Sequence, residues 1–148
     1  MKTRRIITEI ISGLFIILWV YAGLNKMMDP EFGDQLHKSP YLDKVADFVQ
    51  VTLPTGELVI ALLLVFHRTK LYGLYLSFFL MFLFTGYIYA MLQFSFYKPC
   101  SCGGILSRMD WNTHLYFNII FTLLAGAAAL LYEKPRTITK ETLKPVTN

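Results

Sequence analysis

Charge is scarce in this chain: 16% of its 148 residues are Asp, Glu, Lys or Arg, whereas 55% are hydrophobic and 16% aromatic. A soluble domain this small cannot bury so much apolar surface, which excludes a water-soluble globule and leaves lipid as the solvent for part of it. The net charge of +4 comes without any basic run; the Lys and Arg residues stand at the ends of apolar segments. That placement serves membrane topology and excludes nucleic acid as a partner. Cysteine is nearly absent, with only Cys100 and Cys102 in the whole chain. Internal repeats and low-complexity segments are missing too. The length allows a single domain.

What is present is four long apolar stretches. They run over about 6–26, 51–67, 71–94 and 111–132, and a helix needs roughly 20 apolar residues to cross hydrocarbon. The sequence therefore predicts an all-α, integral-membrane four-helix bundle over residues 1–132, followed by a polar tail over 133–148. The second stretch is the shortest and contains Pro54 and Glu57; Pro54 is expected in its first turn, where a proline is tolerated. The first stretch follows Lys2, Arg4 and Arg5 as a signal peptide would. It is too long, carries Glu9 and lacks a small-x-small cleavage site, so it is read as a retained helix.

Loop charges orient the bundle. The amino terminus, the second-to-third connection and the tail together hold nine Lys and Arg, against five on the opposite side. The positive-inside rule then places both termini in the cytoplasm. In the first outer loop, Ser39-Pro40 reads as an N-cap and first helical residue. Tyr41, Leu42, Val45, Phe48 and Val49 share one face of the turn that follows, opposite Asp43, Lys44 and Asp47. A short interfacial amphipathic helix is predicted there. Gly86-x-x-x-Ala90 and Ala125-x-x-x-Ala129 fit the spacing of close helix contacts.

The chemistry concentrates at the outer end. Lys98-Pro99-Cys100-Ser101-Cys102-Gly103-Gly104 links the third and fourth helices, on the side where disulfides persist. Two cysteines one residue apart can join only in a small strained ring, which favours exchange over bracing. So local a bridge removes little unfolded-state entropy. The inert alternative is two free thiols or a structural bridge in a turn. Lys26, Glu57, Tyr87, His114 and Asn118 fall at the same depth, and His114 and Asn118 share a helix face. A carboxylate in a membrane helix needs a partner, and Lys26 is the natural one, with His114 next. Lys26 could instead snorkel to the headgroups, and His114 could be an interfacial residue behind Asp110. Trp19 and Trp111 read as packing and interface anchors, and Glu9 as a residue near the inner surface reaching water. An active thiolate would gain from the amino terminus of the fourth helix and from Lys26 or protonated His114.

In this order the motifs resemble the MauE/DoxX-like redox-associated membrane proteins. They are Ala22-Gly23-Leu24-Asn25-Lys26, Asp29-Pro30, Ser39-Pro40, Leu53-Pro54-x-x-Glu57, Pro99-Cys100-Ser101-Cys102-Gly103-Gly104 and Trp111-x-x-His114-x-x-x-Asn118. The resemblance covers roughly residues 10 to 130. It implies a four-helix protein of the bacterial inner membrane. MauE members are associated with methylamine utilisation and with disulfide formation in a periplasmic dehydrogenase; DoxX-type relatives are linked to quinone-coupled oxidation. The second cysteine pair of DsbB-like and vitamin K epoxide reductase-like enzymes is missing here, which excludes a long internal thiol relay. The leading expectation is thus a thiol–disulfide redox or disulfide-maturation protein. Cys100, Cys102 and His114 would be catalytic, and Glu57, Lys26, Tyr87 and Asn118 would form the site for a quinone. Its partner would be a periplasmic protein thiol. A non-enzymatic subunit or assembly partner of a membrane complex is the second reading. Metal handling by Cys100, Cys102 and His114 is the third.

Overall fold

The computed structural model describes residues 2–39, 41–94 and 110–132. Five helices fill them: α1 (Lys2–Met28), α2 (Phe32–His37), α3 (Ala46–Val65), α4 (Lys70–Phe94) and α5 (Trp111–Leu131), with a 3-10 turn at Asp43–Val45 leading into α3. No strand occurs among the described residues. Four of the helices are long and apolar enough to cross a membrane, and the chain is an all-α four-helix membrane bundle. Along the bundle α1 packs on α3 and α4 on α5; contacts of α3 with α4 and of α1 with α5 close the ring.

Each spanning helix turns one stripe inward and a wide apolar face outward. Ile11, Phe15 and Trp19 of α1 recur every four residues and meet Ile60, Ala61 and Leu64 of α3, Leu74 and Met81 of α4 and Ala125, Ala128 and Ala129 of α5. Ile17, Leu62, Phe82 and Leu123 point the other way and are exposed. Lipid solvates that outer face as well as protein would, so apolar burial does little to hold the helices together. Close packing and cross-helix hydrogen bonds do that instead. Trp19 Nε1 donates to Ser77 Oγ at 2.9 Å, and the Thr85 and Thr122 hydroxyls meet at 3.3 Å. Trp19 is accordingly a core residue, 1% exposed, and not an interface anchor.

Small residues act where backbones approach. A Cβ on Gly73 would lie 2.9 Å from the Leu64 side chain and 3.1 Å from its backbone nitrogen, and one on Gly23 would lie 3.1 Å from the Pro54 carbonyl oxygen. Ala125 and Ala129 are buried against the neighbouring helices, as their spacing suggests. Gly86 corrects the companion expectation: among the described residues nothing lies within 4 Å of where its Cβ would be, so Gly86-x-x-x-Ala90 makes no close crossing with them.

The first outer loop departs most from expectation. The residues read as a separate surface helix form the 3-10 turn and the first turn of α3, which carries the helix back to Ala46. The reason is burial. Leu42, Val49 and Leu53 pack on Phe32, Leu36 and Ala46, so part of the face assigned to the headgroups is spent on α2. The short helix of this loop is therefore α2, at Phe32–His37. Pro54 lies well inside α3 and does not start it. Lacking an N–H, it leaves the Gln50 carbonyl without its helical donor. Ser39 caps no helix through its side chain; its hydroxyl meets Tyr87 Oη at 2.9 Å. Pro40 lies outside the described residues.

At the opposite end, the α3–α4 turn is tied down by Thr69. Its hydroxyl donates to the Leu63 carbonyl at 2.9 Å, satisfying an end-of-helix acceptor. Tyr132 Oη donates to the His67 carbonyl at 2.9 Å. Glu9 does reach solvent, yet it also accepts from the buried Lys70 ammonium and lies 3.8 Å from His67 Nδ1.

Candidate functional site

Three inward stripes carry polar residues at the α2 end, just where the apolar core stops. On α1 the series Phe15, Trp19, Ala22 continues one turn further to Lys26, so the ammonium lands inside the bundle. On α3 the buried series Leu64, Ala61, Ile60 continues towards the amino terminus to Glu57 and Pro54. On α5, Ala129, Ala125, Thr122 and Asn118 lead back to His114. Asp110 caps this helix: its carboxylate accepts from the Asn112 N–H at 3.3 Å, and its carbonyl accepts from the His114 N–H at 2.9 Å. His114 is thus a first-turn residue behind the cap, yet its side chain is buried.

Lys26 Nζ donates to Glu57 Oε1 at 2.7 Å. Neither is meaningfully exposed, at 8% and 0%. A second contact joins Nζ to the Ala22 carbonyl at 3.5 Å, and the Phe84 ring centroid lies 5.7 Å away. Lys26 therefore turns inward and does not snorkel. Removing either partner of such a pair leaves the other charge buried and alone, a cost of about 3–5 kcal/mol. Asn118 Nδ2 donates to the His114 carbonyl at 2.9 Å, and Thr122 donates to the Asn118 carbonyl at 2.7 Å. Intrahelical bonds of this kind let polar side chains sit at membrane depth without a loose donor.

These groups surround one cavity of about 270 Å³. That is near the small end of ligand pockets, which run from roughly 300 Å³. Lys26, Glu57, Tyr87, His114 and Asn118 all line it. The rest of the wall is mainly apolar, with Trp19 and Phe84 on one side and Leu36, Leu42 and Val49 on another. Two polar atoms in the wall are buried without a partner among the described residues: Glu57 Oε2 and Gln35 Oε1. A small ring bearing polar substituents, such as a quinone head group, suits a wall of this composition.

The five residues singled out in the helices come together. The two cysteines cannot be placed in the same way, because Cys100 and Cys102 lie outside the described residues. Among those that are described, no group of three His, Cys, Asp or Glu side chains could hold a metal ion. Gln35, Ser39, Phe84 and Trp111 also line the cavity or bind its wall, and sequence reasoning missed their roles. Gln35 and Ser39 sit in a polar loop with nothing to mark them, and Phe84 is one of 12 phenylalanines.

The family model for methylamine utilisation protein MauE matches residues 4–132. The chain belongs to the MauE family. The match takes in all four spanning helices and every residue of the cavity, so this MauE-family chain is a multi-pass membrane protein of methylamine utilisation. No curated protein and no solved structure matches it.

Proposed function

We propose that this MauE-family protein is a thiol–disulfide redox or disulfide-maturation protein of the bacterial inner membrane, with both termini cytoplasmic and Cys100 and Cys102 on the periplasmic side. One observation carries the reading. The polar cavity lies at the end of the bundle where the chain leaves α4, about two turns beyond Tyr87, and enters α5 three residues before His114. In sequence, Cys100 and Cys102 fall between these two helix ends, both of which lie at the cavity end of the bundle.

The chemistry starts with Cys100 and Cys102 joined. A thiolate of a periplasmic protein attacks one sulfur, the Cys100–Cys102 bond breaks, and a mixed disulfide forms. A second thiolate of the partner then attacks that bond. The partner leaves with its own disulfide, and Cys100 and Cys102 hold the two electrons and two protons it lost. His114, in the first turn of α5, takes the proton of the cysteine thiol, and the helix terminus favours the thiolate. The Lys26–Glu57 pair, with Tyr87 and Asn118, would hold a quinone in the cavity. Such a group supplies the acceptor for the two electrons and two protons that leave the dithiol.

Single Cys100→Ser and Cys102→Ser variants test this in cells, because the remaining thiol should accumulate as a mixed disulfide that names the partner. In detergent, titration against glutathione buffers with alkylation as readout should give a potential well above that of structural bridges, which lie below about −300 mV. Unimpaired function of the Cys100→Ser/Cys102→Ser double variant would favour a non-enzymatic subunit of a larger membrane complex.

A further inference from the structure

Three donors in the cavity wall are already engaged. Lys26 Nζ is engaged by Glu57 and the Ala22 carbonyl, Asn118 Nδ2 by the His114 carbonyl, and Trp19 Nε1 by Ser77. Two buried acceptors have no donor among the described residues. Glu57 is 0% exposed and its Oε2 lacks a hydrogen-bond partner there; Gln35 Oε1, in the wall of the same cavity, is in the same condition. A buried carboxylate oxygen without a donor is among the costliest arrangements a protein can keep, and it is rarely kept without a use. Lys26 already neutralises Glu57, so a cationic ligand would bring an uncompensated charge into an apolar wall. The group that completes this site is a neutral donor on a small apolar body.

We propose that the cavity binds a hydroxylated aromatic ring, with Glu57 Oε2 accepting its O–H hydrogen, and that it therefore selects the reduced, hydroquinone form of a quinone couple. The choice of a hydroquinone among hydroxylated rings rests on the thiol–disulfide reading above. Oxidation of the ring diol to the dione releases two electrons and two protons, and with them both O–H donors. The oxidised form has only acceptors to offer to Glu57 and Gln35, so it is the weaker ligand. A tenfold preference for the reduced form raises the midpoint of the bound couple by about 30 mV, which makes it a stronger oxidant of the dithiol.

The test is binding, not turnover. The full chain carrying Cys100→Ser/Cys102→Ser has no thiol left, because these are its only cysteines. Purified in detergent under argon, it is titrated calorimetrically with trimethylhydroquinone, with trimethylbenzoquinone and with the dimethyl ether of the hydroquinone. The ether keeps the ring and loses both donors. The hydroquinone should bind about tenfold more tightly than either of the others, the effect of one hydrogen bond to a charged acceptor. In Glu57→Gln/Lys26→Met the preference should vanish. Should that variant not fold, Gln35→Leu on α2 supplies the second comparison: hydroquinone affinity falls while that of the ether does not. Equal affinity for the three probes overturns the inference, as does saturable binding of none of them, which would mean that the cavity holds water. Tighter binding of the quinone overturns it as well, because Glu57 would then carry the proton and donate. None of these outcomes depends on thiol exchange. A thiol pair that fails to react, beside an intact hydroquinone preference, would sink the redox reading and leave the ring site standing.

Discussion

The two ends of the bundle use the same pair of residue types and put them to different ends. At the α2 end Lys26 of α1 meets Glu57 of α3, both buried, with one carboxylate oxygen left over beside a cavity. At the α3–α4 turn Lys70 of α4 meets Glu9 of α1; the lysine is buried, but the carboxylate is 43% exposed and His67 lies beyond it. The half-exposed carboxylate keeps its water, so that pair braces a turn already fixed by Thr69 and Tyr132. The fully buried carboxylate has given up its water and holds an acceptor unmet among the described residues. An ion pair in a membrane bundle becomes a site when solvent is removed from one oxygen without a protein donor to replace it.

The largest expected effect breaks the two pairs. Lys26→Met should cost about 3–5 kcal/mol, read as a loss of folded protein and a fall in unfolding temperature in detergent, because Glu57 is left charged and alone. Adding Glu57→Leu should restore most of the loss. Lys70→Met should cost about 1 kcal/mol or less, since Glu9 can be solvated. Equal losses at the two ends would erase the distinction.

Packing offers the next comparison. Gly73→Ala drives a methyl group into Leu64 and should destabilise the turn end by about 1–3 kcal/mol. Gly86→Ala, with open space around it, should change unfolding by less than about 0.5 kcal/mol. His114→Ala probes the cavity end through reactivity: thiol exchange should slow about tenfold, with the amount of folded protein unchanged. A fall in folded protein equal to the fall in rate would make His114 a packing residue.

The smallest effect concerns the lid that α2 forms over the cavity. His37 Nδ1 lies 3.3 Å from Asp43 and Nε2 3.2 Å from Asp47, and these bonds raise its pKa above the ordinary histidine value. A raised pKa means that the protonated form ties α2 to the head of α3. That contribution is complete below about pH 6.5 and is lost as pH rises through the folded value. Amide exchange in α2 should therefore quicken between pH 6 and pH 8 relative to α1, beyond the intrinsic change. His37→Gln should abolish that extra dependence.

Much of this was legible in residue order. Hydrophobic length marks three of the four spans, because bilayer thickness sets a minimum of roughly 20 residues; the shorter second stretch is read as a span from the loop charges that follow it. A membrane helix also makes each ionisable residue conspicuous, which is why Lys26, Glu57 and His114 stood out before their positions were known. Residue order misled in the first outer loop. There Leu42, Val45 and Phe48 are equally apolar, and only the packing of α2 decides that Leu42 turns inward while the other two face out. It misled again at Pro54, whose cost depends on whether a turn of helix precedes it.

By itself, then, the sequence determined the number of spans, the helical class and the residue types available for chemistry, since these follow from local composition measured against a bilayer of fixed thickness. Only the tertiary structure decided that Lys26, Glu57, Tyr87, His114 and Asn118 share one cavity, that Gln35 and Phe84 join them, and that Glu57 Oε2 is left without a donor among the described residues. Those facts depend on how four helices are rotated about their axes. That rotation is set by contacts between residues far apart in the chain, such as Trp19 with Ser77 and Gly73 with Leu64, which no window of sequence contains.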